Sequence, residues 1–370
     1  TFLIDGSKEA RRVSVALEEI LVRQRELDRQ IGEGVSGQKA ILSAMQDALL
    51  VVDSQRRIAL VNRAFCDLFQ ASESSLGEPL LESVRDPAVE RIVSDTFQRQ
   101  RPSQGELMIG PREFQMSSVP MAGSNGQLTG AVVLFHDITE LKRADQIRKD
   151  FVANVSHELR TPLSILRGYI ETMQDDPKMP QAECTRILEV MNQHSKRLGL
   201  LANDLLTLAQ LEAGRSTLDL SEIDLRRFFS DLIRDWEKKI GARNLKMLVQ
   251  VDDDCSSVRG DETRLREVFD NLLDNAVKFS NEGGEIRLAA TRRGDSIALS
   301  VSDEGIGVSK EDLPRIFERF YRADKARSRE LGGTGLGLSI VKHIAQLHGG
   351  RVEAQSEPGK GTSIRVFLPS

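Results

Sequence analysis

Residues 151–163 read Phe151-Val152-Ala153-Asn154-Val155-Ser156-His157-Glu158-Leu159-Arg160-Thr161-Pro162-Leu163. The apolar positions Val152, Val155, Leu159 and Leu163 continue through Leu166, Ile170 and Met173 at spacings of three and four. That spacing predicts a helix whose apolar seam packs in a bundle. At about 100° per residue, His157 falls off the seam and is expected in solvent. An imidazole with an ordinary pKa of roughly 6.5 is largely neutral near pH 7, so a ring nitrogen can attack an electrophile. Glu158 follows directly and could orient the ring or take its proton. A lone exposed histidine is most simply a solvated surface residue. What makes this one a candidate acceptor is a constellation downstream that supplies an electrophile.

From Arg264 to Ser280 the chain predicts a helix carrying Glu267, Asn271, Asn275 and Lys278 on one face, with Leu272, Leu273 and Ala276 on the buried side. Paired asparagines are commonly caps or surface residues. Here their amide oxygens, beside one carboxylate, suit Mg²⁺ whose charge a nucleotide already offsets. Asn271 is the candidate metal ligand, and Lys278 is a phosphate partner. An apolar strand at Ile297–Val301 then runs into Ser302-Asp303-Glu304-Gly305-Ile306-Gly307. A carboxylate at a strand end, followed by Gly305 and Gly307, fits close backbone approach to a ligand, with Asp303 accepting from an adenine amino group. An ordinary strand-to-turn exit uses the same residue types.

A second cluster reads Gly332-Gly333-Thr334-Gly335-Leu336-Gly337-Leu338-Ser339-Ile340 and enters a helix predicted from Ser339 to Leu347. Glycines before a helix start leave backbone N–H groups free for phosphate oxygens. No GK[ST] follows, so this is no Walker A loop, and no βαβ unit surrounds it as a Rossmann fingerprint requires. Between the two clusters lies Phe317-Glu318-Arg319-Phe320-Tyr321-Arg322, then a polar run from Ala323 to Glu330. An aromatic anchor ahead of a charged run reads as a nucleotide lid, with Arg319 and Arg322 as candidates to balance γ-phosphate charge.

In this order the segments resemble those of the sensor histidine kinases of two-component systems. SHELRTPL resembles the phospho-acceptor box, NLLDNAVKFS the Asn box, DEGIGV the first Gly box, FERFYR the Phe box and GGTGLGLSIV the second Gly box. The resemblance covers about residues 140 to 370, and no motif residue is missing. It implies an ATP-binding domain of the type shared with gyrase, Hsp90-type chaperones and mismatch-repair ATPases. It further implies that His157 takes the γ-phosphoryl group of ATP and passes it to an aspartate on a response regulator receiver domain. Mg²⁺ would be held by Asn271, with Glu267, Asn275 and Lys278 supporting, and the phosphates by Gly333, Thr334, Gly335, Leu336 and Gly337 with the lid. Thr161, one turn beyond His157, would position a water for dephosphorylating the partner. Two alternatives stay open at this point. A gyrase/Hsp90-type ATPase would turn over ATP without an acid-labile phosphoprotein, and a non-catalytic sensory scaffold would bind no nucleotide.

Composition narrows the class. In 370 residues, 39% hydrophobic and 29% charged, there is room for two or three globular domains. A net charge of −5 argues against a nucleic-acid surface. There is no uninterrupted apolar run of about 18 residues for a membrane span, and no secretory signal. Cys66, Cys184 and Cys255 are far apart and read as reduced thiols. The start at Thr1 rather than Met suggests a cytoplasmic fragment of a parent whose missing N-terminus could hold a membrane anchor.

The resulting organisation is multidomain α/β. Residues 1–37 form a coiled-coil signalling helix on the alternation Ala10, Val13, Leu17, Ile20, Gln24, Leu27 and Ile31, closed by Gly32, Gly34 and Gly37. Residues 38–140 alternate strands and turns, and with the closing Asp137-Ile138-Thr139 they resemble a PAS sensor domain. Residues 141–216 form an antiparallel helical hairpin turning at Asp175–Pro180. Its second seam is Ile187, Met191, His194, Leu198, Leu201, Leu205 and Leu208, where His194 reads as packed or interfacial. Two helices alone bury too little surface, so a homodimer closing a four-helix bundle is expected. Residues 217–370 form an α/β sandwich that binds ATP. His136, His343 and His348 lack metal-ligand spacing and read as structural.

Overall fold

A computed structural model describes residues 40–71, 75–123, 125–212, 218–324 and 333–370. The expected coiled coil of residues 1–37 and most of the lid run lie outside the described residues. The chain divides into two compact units, one ending at Arg148 and one beginning at Lys149.

The first unit is a five-stranded antiparallel sheet in the order β2-β1-β5-β4-β3. The strands are β1 (Ala48–Asp53), β2 (Ile58–Val61), β3 (Ser103–Ile109), β4 (Arg112–Ala122) and β5 (Leu128–Asp137), with helices α1 (Arg63–Phe69), α2 (Leu80–Ser83) and α3 (Pro87–Arg99) between β2 and β3. Period-two alternation turns Ala48, Leu50 and Val52 of β1 and Ala131, Val133 and Phe135 of β5 into one core. Leu50 pairs with Val133, which sets the register. Asn62 begins α1 by accepting from the Phe65 N–H, and Asp86 begins α3 by accepting from the Ala88 N–H. Where β5 ends, Asp137 accepts from both the N–H and the hydroxyl of Thr139, at 2.9 and 2.5 Å, and pairs with Arg112. This cap starts the long helix α4 (Thr139–Asp175).

In the second unit α4 continues, and residues 176–180 connect it to α5 (Gln181–Glu212). The α5 seam is as expected, with Ile187, Leu201 and Leu208 buried. The α4 seam differs from expectation. Val152, Leu163 and Ile170 are 57%, 53% and 44% exposed. Val155, Leu159, Leu166 and Met173 of that seam are half-buried as expected, Phe151, Ile165 and Tyr169 are half-buried beside them, and Pro162 is buried. The apolar stripe of α4 is wider than one neighbouring helix covers, so one edge turns inward and the other faces out.

The C-terminal part is a five-stranded sheet in the order β11-β12-β10-β9-β7. Its strands are β7 (Lys246–Val251), β9 (Glu285–Arg293), β10 (Ser296–Asp303), β11 (Arg351–Glu357) and β12 (Gly361–Pro369). All pairings are antiparallel except β7 with β9. β6 (Ser221–Asp224) and β8 (Ser257–Gly260) form a small separate ladder. Helices α6 (Leu225–Gly241), α7 (Glu262–Phe279) and α8 (Gly337–Leu347) share the core with the sheet, making a two-layer sandwich. The core includes Phe228, Phe229, Phe269, Leu273, Ile340 and Val366, and the late turns of α5 join it through Leu201, Leu208 and Leu211. No helix among the described residues is long and apolar enough to cross a membrane.

Candidate active site

A cavity of about 1260 Å³ opens between α5, α7, the end of β10 and the glycine segment before α8. It is large enough for a nucleotide-sized ligand. α7 lines it with Glu267, Asn271, Asn275 and Lys278, the face anticipated from their spacing. Asp261 caps this helix by accepting from the Arg264 N–H, which sets where its turns fall. The Asn271 Nδ2 donates to the Glu267 carbonyl at 2.9 Å, so its Oδ1 is the free end. That oxygen points at Gly337, where a Cβ would stand 2.4 Å away. Glu267 is paired with Arg264 at 2.9 Å and Lys278 with Asp274 at 2.5 Å, so both are held by neighbours on their own helix.

Asp303 lies at the cavity wall where β10 ends. Burial pushes its carboxyl up to about 6, against the lowering effect of the Gly305 and Thr362 backbone N–H groups. The Gly305 N–H donates to its Oδ1 at 2.9 Å. Gly305 is not itself in the wall. It is wedged where a Cβ would come within 2.4 Å of the Phe279 carbonyl. Gly307 does line the cavity, at φ +69, with its back on the Glu357 carbonyl.

Gly333, Thr334, Gly335 and Gly337 line the opposite side, while Gly332 falls outside the described residues. The Leu336 side chain is fully buried in the apolar core, where an isobutyl group is most favourably placed, and its backbone N–H donates to the Thr334 hydroxyl oxygen at 3.2 Å. Gly335 is at φ +76 and presses on the Phe320 backbone, whose N–H donates to the Gly335 carbonyl at 2.8 Å. Phe320 is itself at φ +61, and its ring lies 5.8 Å from that of Phe151 on α4. α6 and α7 start on aspartate side-chain caps, whereas α8 has no side-chain cap. Its N-terminal turn faces the cavity through Gly337 and Leu338. Uncapped N–H groups at a helix start are a fitting place for an anion.

His157 is exposed on α4, as expected. Glu158 beside it is not poised on the imidazole. Its Oε2 accepts from Arg197 of α5 at 3.0 Å and from Arg322 at 3.1 Å, because two guanidinium groups satisfy a carboxylate with charge-assisted hydrogen bonds. Arg322 is only 7% exposed and lines the cavity. Arg319 takes a different place from the one expected: its guanidinium stacks over the Phe151 ring at 5.5 Å and is not part of the cavity wall. Thr161 donates its hydroxyl to the His157 carbonyl at 3.2 Å. The sequence reading missed Arg197 and Asp204. Asp204 of α5 lines the cavity and accepts from the Thr334 hydroxyl at 2.6 Å. His348 is structural: its Nε2 accepts from the Asp261 N–H at 3.0 Å and its Nδ1 bonds the Ile344 carbonyl at 2.8 Å.

Comparison with known proteins agrees with this arrangement. Residues 260–370 match the family of histidine kinase-, DNA gyrase B- and HSP90-like ATPases, residues 147–214 the His Kinase A (phospho-acceptor) domain, and residues 38–138 the PAS fold. The chain is 34% identical over 357 residues to the sensor histidine kinase WalK of Bacillus subtilis, covering 94% of this chain and 58% of that protein. It is 35% identical over 330 residues to the phosphate regulon sensor protein PhoR of Pseudomonas aeruginosa, covering 89% of this chain and 73% of that one. It is thus somewhat over half the length of the WalK relative. Among solved structures, the histidine kinase ThkA, crystallised with the response regulator protein TrrA, shares the fold at a TM-score of 0.50 and 24% identity, covering 89% of this chain and 97% of that one.

Proposed function

The chain belongs to the sensor histidine kinases of two-component systems, and we propose that it autophosphorylates on His157 from ATP and passes the phosphoryl group to a response regulator aspartate. The observation that carries this reading is the reach of Glu158, next to the exposed His157, to Arg322 in the wall of the nucleotide-sized cavity. Acceptor and donor sites are therefore neighbours within one compact unit.

In this reading Asp303 receives the adenine amino group, and the uncapped start of α8 with the glycine segment receives the phosphates. Asn271 fits Mg²⁺: its amide is turned so that a neutral oxygen faces the glycine segment, and Asn275 adds a second amide on the same helix face. The metal, when bound, neutralises phosphate charge. The neutral His157 ring attacks the γ-phosphorus, a nitrogen–phosphorus bond forms, the bond to the ADP oxygen breaks, and the second ring nitrogen gives up its proton. Glu158 is the candidate acceptor of that proton once Arg322 has moved to phosphate. Most of the acceleration is positioning and charge neutralisation.

The exposed edge of α4, with Leu188 and Leu206 of α5 at 54% and 62%, supports a second copy closing a four-helix bundle. A response regulator, the kind of protein ThkA was crystallised with, would dock its receiver domain on that bundle. The proposed division remains 1–37, 38–140, 141–216 and 217–370. The Thr161 hydroxyl, now bonded to the His157 carbonyl, is the proposed water-positioning group for the phosphatase reaction. The proposed location is the cytoplasm, with any membrane anchor in a longer parent.

The test is incubation of the chain and of His157→Gln with γ-labelled ATP. Wild type is expected to take up acid-labile label, and the variant none while still binding nucleotide. Label retained on the variant would move the acceptor elsewhere, and ATP turnover with no phosphoprotein would favour the ATPase alternative.

A further inference from the structure

Two carboxylates on the bundle hold groups that the nucleotide reading assigns to phosphate. Asp204 accepts the Thr334 hydroxyl at 2.6 Å, and Glu158 accepts Arg322 at 3.1 Å. The first contact spans 130 residues of sequence and the second 164, so neither comes from local chain geometry. A threonine hydroxyl has one hydrogen, and Thr334 cannot give it to Asp204 and to a phosphate oxygen at once. The same oxygen accepts from the Leu336 N–H at 3.2 Å, so it is tied into the turn that presents the start of α8.

We infer that Asp204, with Glu158, acts as an internal stand-in for phosphate: it latches the glycine segment to α5 and must be displaced when nucleotide binds. This rests on the nucleotide reading of the cavity. Electrostatics favours displacement. Asp204 already lies in a carboxylate-rich corner, where burial pushes its carboxyl upward and Glu267 and Asp274 add to that push. A triphosphate brings several more negative charges to the same segment, and like charges at close quarters are unfavourable. The Thr334 oxygen also holds the Leu336 N–H, so a backbone movement that frees it from Asp204 carries Gly335 between them. Gly335 has no room of its own, because a Cβ there would stand 2.9 Å from the Phe320 backbone. Movement of Phe320 in turn changes its ring contact with Phe151, on the turns of α4 that precede His157. Asp204 is thus a positioning residue, and it couples nucleotide occupancy to the helix that carries the acceptor.

The experiment uses the full chain and an unhydrolysable ATP analogue with Mg²⁺. Asp204→Asn keeps the shape and removes the charge, while Asp204→Ala removes the latch. Both are expected to bind the analogue about 3- to 10-fold more tightly than wild type and to show a correspondingly lower KM for ATP. A merely structural role predicts the opposite sign, since a damaged fold binds more weakly. The chain's single tryptophan gives a second readout. Trp236 lines the same cavity as Leu200, Asn203 and Asp204 of α5. In Asp204→Ala without nucleotide, its fluorescence is expected to be more accessible to acrylamide than in wild type. Unchanged or weaker analogue binding in both variants overturns the latch and leaves the nucleotide site standing. A wild-type chain that does not bind the analogue overturns the nucleotide reading, and the trigger of the latch with it.

Discussion

Helices α7 and α4 carry the same three-and-four apolar spacing and come to opposite ends. On α7, Leu265, Val268, Phe269, Leu272, Leu273 and Ala276 are all 2% exposed or less. On α4, Val152, Leu163 and Ile170 remain 57%, 53% and 44% exposed. The first helix finds every neighbour inside its own lobe, while the second finds only half of them in its own chain. A helix whose apolar face is fully covered can hold its share of the cavity wall in place. A helix pair that is incomplete can change what it packs against without unfolding, and that would suit the proposed meetings with nucleotide, partner copy and receiver in turn.

The sharpest break in this comparison comes from truncating one leucine in each helix. Leu273→Ala in α7 should cost about 2–5 kcal/mol, the range for a fully buried leucine whose cavity cannot collapse. Leu163→Ala in α4 should cost the single chain less than about 1 kcal/mol, since half of that side chain is already in water. Its effect belongs instead in self-association, as a several-fold rise in the dimer dissociation constant. Calorimetry and sedimentation separate the two. If Leu163→Ala melts like Leu273→Ala, the α4 stripe is covered within the chain and the contrast is false.

That contrast also marks what could be read from residue order. The α7 face was legible because Glu267, Asn271, Asn275 and Lys278 are fixed by a single helical period. The strand ending at Asp303 and the glycine segment before α8 were legible because apolar runs and glycines are local signals. Period says which residues share a side but not who the neighbour is, so Val152, Leu163 and Ile170 were placed on a buried seam. Nothing in the sequence around Asp204 or Arg197 announces a partner, because Thr334 and Glu158 meet them only through tertiary packing. Arg319 and Arg322 are chemically alike and three apart. What separates them is which one meets Phe151 and which one meets Glu158, and this is decided by the docking of two elements.

A second test compares two buried features of the complete lobe. Leu273 is apolar and stabilising, whereas Asp303 is a carboxyl that burial has pushed up to about 6. The folded lobe therefore prefers the neutral acid. Stability from this group is full below its ordinary value near 3.8 and is lost as pH rises through about 6. The loss amounts to about 3 kcal/mol at most, from roughly two pKa units at about 1.4 kcal/mol each. Asp303→Asn should thus melt higher than wild type at pH 7–8 and no higher near pH 4, while its nucleotide affinity falls by about 100-fold. In wild type, affinity should weaken below about pH 6, since the protonated acid accepts the adenine amino group poorly. A variant that melts lower than wild type at pH 8 would show that Asp303 holds the fold rather than the ligand.

A smaller effect than at Asp303 is expected at the start of α4, where a carboxylate of opposite character sits. Hydrogen bonds from the Thr139 hydroxyl and N–H hold Asp137 at about 2, and Arg112 adds to them. Here the folded state prefers the charged form, so the sign reverses: the contribution is full above roughly 3.8 and is lost as pH falls toward about 2. The group is 34% exposed and Arg112 54%, so solvent screens the pair, and the cost of Asp137→Ala should be near that of losing a helix cap, about 1 kcal/mol at pH 7. Unlike Leu273→Ala, it should lower only the melting of the first unit. Calorimetry of the full chain at pH 6 and pH 3 checks both points: the gap between variant and wild type should narrow at the lower pH while the second transition stays in place. A gap of the same size at both values would mean that Asp137 stabilises the junction through its shape alone, and the pairing of one raised and one lowered carboxylate would lose its second half.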